Sequence, residues 1–376
     1  MDFKPIPIGV EDFKELVNKG YYFVDKTLMI KDIIDIKSSV NLFTRPRRFG
    51  KTLNMSMIQR YFEKTEEDNS YLFEGLNISK AGDKYKEYQG QYPVITLSLK
   101  SMKQPSYEYA FITFKTMINR EFIRHAYVLK STEIPIKMKE EFEKIYLGTA
   151  EDSTYITSIR LLSDCLEKVH KKNTIILIDE YDVSLESAYF GGFYDEMVNL
   201  IRSVFESALK TNPSLEFGIL TGCLRISRES IFTGLNNLKV NSITTHIFSE
   251  YFGFTKEEVK KFAEDYGLEK YTDEIKNWYD GYIFGNTEIY NPWSIINFIS
   301  DARNNENVLP KPYWSNTSSN DIIHQLINEG DEETREQIEE LLNGGYVDKP
   351  IYEDITYRNV KINSDYIWSF LLFTDR

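Results

Sequence analysis

The segment Arg45-Pro46-Arg47-Arg48-Phe49-Gly50-Lys51-Thr52 gathers four cations, a glycine and a hydroxyl into one short stretch of an acidic chain. That combination suits a polyphosphate. Backbone N–H groups in a tight turn, continued by a helix N-terminus, can wrap phosphate oxygens without help from any side chain. In that geometry Lys51 bridges the β- and γ-phosphates of ATP, and Thr52 offers its hydroxyl to Mg2+. Gly50 lets the backbone approach where a Cβ would intrude. Arg45, Pro46, Arg47, Arg48, Phe49 and Leu53 complete the expected nucleotide-binding stretch. The match to GxxxxGK[ST] is incomplete, because Arg45 stands where the first glycine belongs. A solvated basic turn is the plain alternative. The setting favours a phosphate loop, since an apolar strand precedes it and an amphipathic helix follows.

About 130 residues later, Ile175-Ile176-Leu177-Ile178 leads into Asp179-Glu180. A strand ending in two acids delivers them to the carboxyl edge of a sheet, where open α/β sheets bind ligands. Asp179 is expected to hold Mg2+, with Thr52 as the second protein ligand, and Glu180 to polarise the attacking water as general base. Asp182 and Glu186 continue the acidic run and read as surface or supporting groups. Thr221, at the end of the next strand, is positioned to sense the γ-phosphate, and Arg225 just beyond could add a positive charge. A strand-end threonine with a surface arginine is an equally good reading of those two residues.

These residues need a scaffold, and the periodicity supplies one. Short apolar runs at 41–44, 92–99, 174–178 and 216–221 alternate with amphipathic stretches, which predicts a parallel sheet covered by helices on both faces. Helical stripes are Leu53/Met57/Ile58/Tyr61, Ile159/Leu162/Cys165/Leu166/Val169 and Met197/Leu200/Ile201/Val204/Phe205/Leu209. All read as core-facing, with Cys165 a buried thiol. After about residue 250 the pattern turns to helices with few strands. Thr255 caps a helix over 256–266, Asn291-Pro292 opens one over 293–299, and another spans 332–342. The final stretch, 346–376, reads as strand-like and closes on the apolar run Ile367–Phe373.

Composition excludes several classes. The net charge is −13 and the isoelectric point about 5.0, so the average surface repels nucleic acid and anionic membrane. Two cysteines, Cys165 and Cys223, lie outside any metal-binding spacing, which argues against a disulfide framework or structural zinc and for a reducing, cytoplasmic setting. The N-terminus carries no basic-then-apolar leader, and no apolar run approaches the ~20 residues of a membrane helix. His125, His170, His246 and His324 are dispersed and offer no catalytic constellation.

Gly9-Val10-Glu11-Asp12-Phe13, Tyr22-Phe23-Val24-Asp25-Lys26-Thr27, Thr44 through Thr52, Leu177 through Asp182, Thr221-Gly222 and Trp278-Tyr279-Asp280-Gly281-Tyr282 follow in this order. The set resembles the bacterial AAA-ATPase-like family of predicted P-loop ATPases over nearly the whole chain, with Arg-Pro-Arg-Arg-Phe-Gly-Lys-Thr its most specific string. The resemblance implies that arginine at the first P-loop position is usual. It implies a P-loop NTPase sheet of the additional-strand, catalytic-glutamate type, followed by a helical lid that covers nucleotide. Tyr22 to Lys26 become candidate base or ribose contacts, although packing on the sheet is the favoured reading there; packing is favoured for Trp278–Tyr282 too.

The resulting domain scheme is an ATPase core over 1–250, a helical lid over 251–345, and the start of a C-terminal region over 346–376 that reads as cut short. Longer relatives commonly carry a PD-(D/E)XK nuclease-like domain there, and nucleic-acid contact is expected only through such a domain. Three functions compete: an Mg-dependent ATPase, a nucleotide-dependent binding module or scaffold with negligible turnover, and a nucleic-acid binder using Arg45, Arg47 and Arg48. A protein partner or a homo-oligomer is compatible with the first two.

Overall fold

The computed structural model describes residues 3–225, 231–232, 235–305, 307–313, 332–358 and 365–374. Its centre is a parallel sheet of β1 (Val40–Thr44), β2 (Val94–Ser98), β3 (Thr174–Asp179), β4 (Leu215–Gly222) and β5 (Leu238–Asn241), in the order β2-β3-β4-β1-β5. Every residue of β1 and β3 is buried, as expected for strands covered on both faces. The four strands read from sequence are all present. β5 is the addition: four residues, only the last fully buried, leave little hydrophobic signal. β4 pairs with both β1 and β3 in parallel, so it is the extra strand interposed between the phosphate-loop strand and the acidic strand. An α/β P-loop NTPase sheet flanked by helices is the fold.

Parallel pairing demands long crossovers, and helices fill them. Lys51–Phe62 follows β1, Tyr107–Arg124 and Ser158–His170 lie between β2 and β3, and Val183–Gly191 and Tyr194–Phe205 follow β3. Register aligns Thr44 with Gly222 and Ser98 with Asp179, so the carboxyl ends of four strands form one level edge. Two cavities of about 150 and 460 Å3 lie at the opposite edge, beside Ser38 and Glu216 before and within the starts of β1 and β4, and beside Asn173 and Ser214. Neither gathers convergent chemistry.

Beyond residue 250 helices predominate, as the sequence suggests, and the few strands are short. Short strands β6 (Phe254–Thr255), β7 (Tyr282–Phe284) and β8 (Thr287–Tyr290) form an antiparallel sheet, ordered β6-β8-β7. Two to four residues per strand are too few to show alternation, although Gly285-Asn286 between β7 and β8 is a two-residue hairpin signal. The helices there begin as read: Thr255 and Glu258 form a reciprocal capping box, and Asn291 caps Pro292–Asn304 with proline at its first turn. Val259, Phe262, Ile275, Ile295 and Phe298 form a second apolar cluster, separate from the main core.

The C-terminal expectation is corrected. Ile367–Phe373 lies in a helix, Asp365–Thr374, which buries Ile367, Phe370 and Phe373 at three-residue spacing. A short run that is apolar at all but one position, Ser369, carries no period that separates strand from helix. Among the described residues, no helix is long and apolar enough to cross a membrane.

Candidate nucleotide site

At the carboxyl edge, β1 passes into a loop that ends at Gly50, the N-cap of Lys51–Phe62. Arg48 (φ 67°) and Gly50 (φ 80°) both adopt the left-handed conformation, a backbone form found in tight turns whose N–H groups can line an anion-binding concavity. Glycine adopts that conformation freely; Arg48 bears a cost of about 1–2 kcal/mol there. Lys51 is 6% exposed and folds back, donating to the carbonyls of Arg45 (2.8 Å) and Pro46 (2.7 Å). Thr52 Oγ1 donates to Asp179 Oδ2 at 2.7 Å. The other oxygen of Asp179 accepts the Thr221 hydroxyl, and Glu180 N donates to that same hydroxyl at 3.3 Å. One carboxylate thus joins the ends of β3 and β4 to the first turn of the helix Lys51–Phe62.

Glu180 follows with φ 53°, a second left-handed non-glycine residue at the site. Burial, then the neighbouring Asp179, raises its pKa above the ordinary carboxylate range, while Lys51 and Lys100 pull it down. Of the two readings of Asp182, surface or supporting group, the structure bears out the second. It is buried, and its Oδ2 accepts the N–H groups of Cys223 (2.7 Å) and Leu224 (3.1 Å), fixing the loop that leaves β4. Gly222 permits that approach, because a Cβ there would stand 2.6 Å from the Tyr181 ring and 2.9 Å from Asp182 Oδ1.

The basic cluster is distributed in ways composition alone did not reveal. Arg45 is wholly buried, donating to the carbonyls of Thr44 (2.8 Å), Asn241 (2.7 Å) and Phe248 (3.3 Å) between the Phe252 and Phe284 rings. Burial lowers its pKa to about 9, which leaves it charged near neutrality. Its side chain therefore braces the loop, and only its backbone remains for phosphate. Arg47 pairs with Glu186 at 2.6 Å, and Glu186 is 12% exposed, the supporting rather than the surface reading of that acid. The Arg48 guanidinium stacks on Trp293 at 4.0 Å. Phe49 is buried against Tyr282 and Phe284, while Leu53 packs against the main core.

The profile of the AAA-ATPase-like family, described as Predicted AAA-ATPase, matches residues 7–232. The chain belongs to that family. It is also 25% identical over 336 residues to an uncharacterized protein from the vnfD 5' region of Azotobacter chroococcum mcd 1, covering 88% of this chain and 57% of the relative. The chain thus spans little more than half the length of the curated relative it matches.

Several residues of this AAA-ATPase-like chain lie apart from the loop. Arg225 pairs with Asp354 at 3.2 Å, not with the Asp179 cluster. Tyr22 stacks on Phe262 (4.2 Å) and donates to Asp265 (2.8 Å), while Lys26 pairs with Glu258 (2.5 Å). The packing reading of Tyr22 to Lys26 describes these contacts. Tyr279 is buried, and Gly281, φ 149°, turns the chain into β7. His125 and His170 are not dispersed: the Tyr127 hydroxyl joins them at 3.2 and 2.8 Å. His246 is exposed, and His324 lies outside the described residues.

Sequence reasoning missed two neighbours of the site. Cys223 Sγ lies 3.7 Å from Lys51 Nζ, at a position whose only sequence signal was proximity to Thr221-Gly222. Lys100 follows β2, whose last residue aligns with Asp179, and its charge acts on Glu180 and Asp179. Only the strand order brings it there.

Proposed function

We propose that the chain binds Mg-ATP at the loop Arg45–Leu53 and hydrolyses it. The observation that carries this reading is the Thr52 Oγ1–Asp179 Oδ2 contact of 2.7 Å. Two cis ligands of an octahedral Mg2+, with bonds of 2.0–2.1 Å, stand about 3 Å apart, so this hydroxyl and carboxylate fit the ion as they lie. Among the described residues no cluster of three or more His, Cys, Asp or Glu forms a ready cage. A P-loop ion needs none, since phosphates and water complete its shell. Thr52 and Asp179 would hold Mg2+, which when bound neutralises phosphate charge.

The chain's own residues do the rest. Lys51 exchanges two loop carbonyls for phosphate oxygens, and the left-handed turn at Arg48 and Gly50 presents N–H groups to them. Glu180, ionised, accepts a proton from the attacking water. Thr221 orients both acids by holding Asp179 and the Glu180 backbone. Both cysteines are unpaired and buried, which suits the cytoplasmic setting proposed for the chain. The region 251–345 is proposed as the covering lid, because Phe49 and Trp293 already tie part of it to the loop.

Binding of a fluorescent ATP analogue and phosphate release test this directly. Lys51→Ala should abolish binding. Glu180→Gln should keep binding and lower turnover at least ~100-fold, the lower end of what a general base contributes. Negligible turnover in wild type, left unchanged by Glu180→Gln while binding persists, would leave a nucleotide-dependent switch or scaffold as the function. Binding retained in Lys51→Ala would remove the loop from the account.

A further inference from the structure

The carboxyl edge of the sheet is crossed by a segment that none of the ATPase chemistry uses. Glu353 accepts the Thr244 hydroxyl, just beyond β5. Asp354 pairs with Arg225, just beyond β4, at 3.2 Å. Tyr357 stacks on Tyr189 and meets Tyr194 edge-on, both in helices that follow β3, and Arg358 pairs with Asp195 at 2.6 Å. Contacts therefore advance from the β5 side through β4 to the β3 side as the chain runs from 353 to 358. In the sheet order β3-β4-β1-β5, β1 lies between β4 and β5. The segment consequently passes over the end of β1, where the phosphate loop begins.

It is firmly seated. Ile355, Thr356 and Tyr357 are each no more than 3% exposed. Tyr352 N donates to Ser369 Oγ at 2.9 Å, and Tyr357 meets Phe370, so the helix Asp365–Thr374 backs the crossing. The Tyr357 hydroxyl lies within the field of Glu186, Asp182 and Cys223, which surround Arg47 and Lys51. Arg225 is only partly satisfied: among the described residues its buried Nε has no acceptor. A guanidinium with a vacant donor, held by a half-exposed carboxylate at the carboxyl edge just beyond β4, is suited to exchange that carboxylate for a phosphate.

We propose that residues 353–358 form an inhibitory strap over the phosphate loop, in which Asp354 holds Arg225 away from the γ-phosphate until the strap is lifted. This rests on the reading of the loop as an ATP site. Turnover is then set by the Arg225–Asp354 pair, whereas nucleotide capture is set by Lys51.

The test compares wild type, Asp354→Ala, Arg225→Ala and the double variant for binding of the fluorescent ATP analogue and for phosphate release, with Lys51→Ala as reference. Asp354 is 46% exposed on its side chain, so its replacement leaves the fold intact. The strap predicts at least a threefold rise in turnover for Asp354→Ala, and a return to the wild-type rate or below in the double variant. Turnover in Asp354→Ala that equals or falls below wild type, while Lys51→Ala still abolishes binding, overturns the strap and leaves the ATP site standing. A rise that persists in the double variant overturns the role of Arg225. Binding that survives Lys51→Ala overturns both readings together.

Discussion

Asp179 concentrates the chemistry in one residue: each of its oxygens already accepts a hydroxyl, from Thr52 and from Thr221. Glu180 beside it has the opposite character. Its carboxylate is disfavoured by burial and by Asp179, and two cations, Lys51 and Lys100, oppose that. A general base must be ionised to work, so acidification removes activity as pH falls through the Glu180 pKa, which lies above that of an ordinary glutamate. Lys100 also faces Glu11 at 3.3 Å and touches no phosphate-loop residue, so its replacement leaves the loop in place. Lys100→Met takes away one of the two opposing cations. The acidic limb of the kcat profile should then move to higher pH while the plateau changes little. A limb that stays in place, or moves to lower pH, would assign it to a group other than Glu180. Neither effect was legible in the residues alone, because the cations come from two different strand ends.

At the level of elements, the phosphate loop is clamped from both sides by one hairpin. Arg45 at its start lies 5.3 Å from the Phe284 ring, and Phe49 near its end lies 5.2 Å from the same ring. Gly253 N also donates to the Phe49 carbonyl at 3.2 Å. Sequence reasoning found the loop and its two acids, since apolar runs and local motifs lie within single stretches of chain. It did not find the brace. Arg45 read as a phosphate-side cation because a string of arginines displays charge and conceals direction, and β7 and β8 are too short to show a period. Phe284→Ala should remove about 3–5 kcal/mol of stability, as large aromatic truncations do, and also weaken ATP-analogue binding at least fivefold. Phe298→Ala serves as the comparison: equally buried but within the second cluster, it should cost similar stability and leave affinity unchanged. Equal affinities in the two variants, measured by titration below their melting temperatures, would show that the hairpin does not set the loop.

Across the whole molecule, two apolar clusters are joined by the N-terminal segment. Tyr22 stacks on Phe262, the Tyr266 hydroxyl donates to the Lys4 carbonyl at 2.6 Å, and Lys26 reaches both Glu258 and the Glu250 carbonyl. The same segment returns to the core: Asp25 accepts Asn77 N at 2.7 Å, and Thr27 accepts Ile78 N. Such a bridge makes two units melt as one only while its contacts outweigh the difference in their stabilities. Lys26 is 8% exposed and Glu258 26% exposed, so breaking the pair costs on the order of 2–3 kcal/mol, below the 3–5 of a fully buried pair. Glu258 keeps its capping contact with Thr255, which limits the loss further. In Lys26→Met, a calorimetric endotherm that is single in wild type should broaden or split, with residues 254–304 melting first. Saturating MgATP at ~100 times its dissociation constant stabilises the unit that binds it by about 2.7 kcal/mol. It should therefore raise the whole wild-type endotherm but only the upper component in the variant. A single endotherm that shifts intact in both proteins would mean that coupling runs through the Phe49–Phe284 hairpin, with the N-terminal segment a passive passenger.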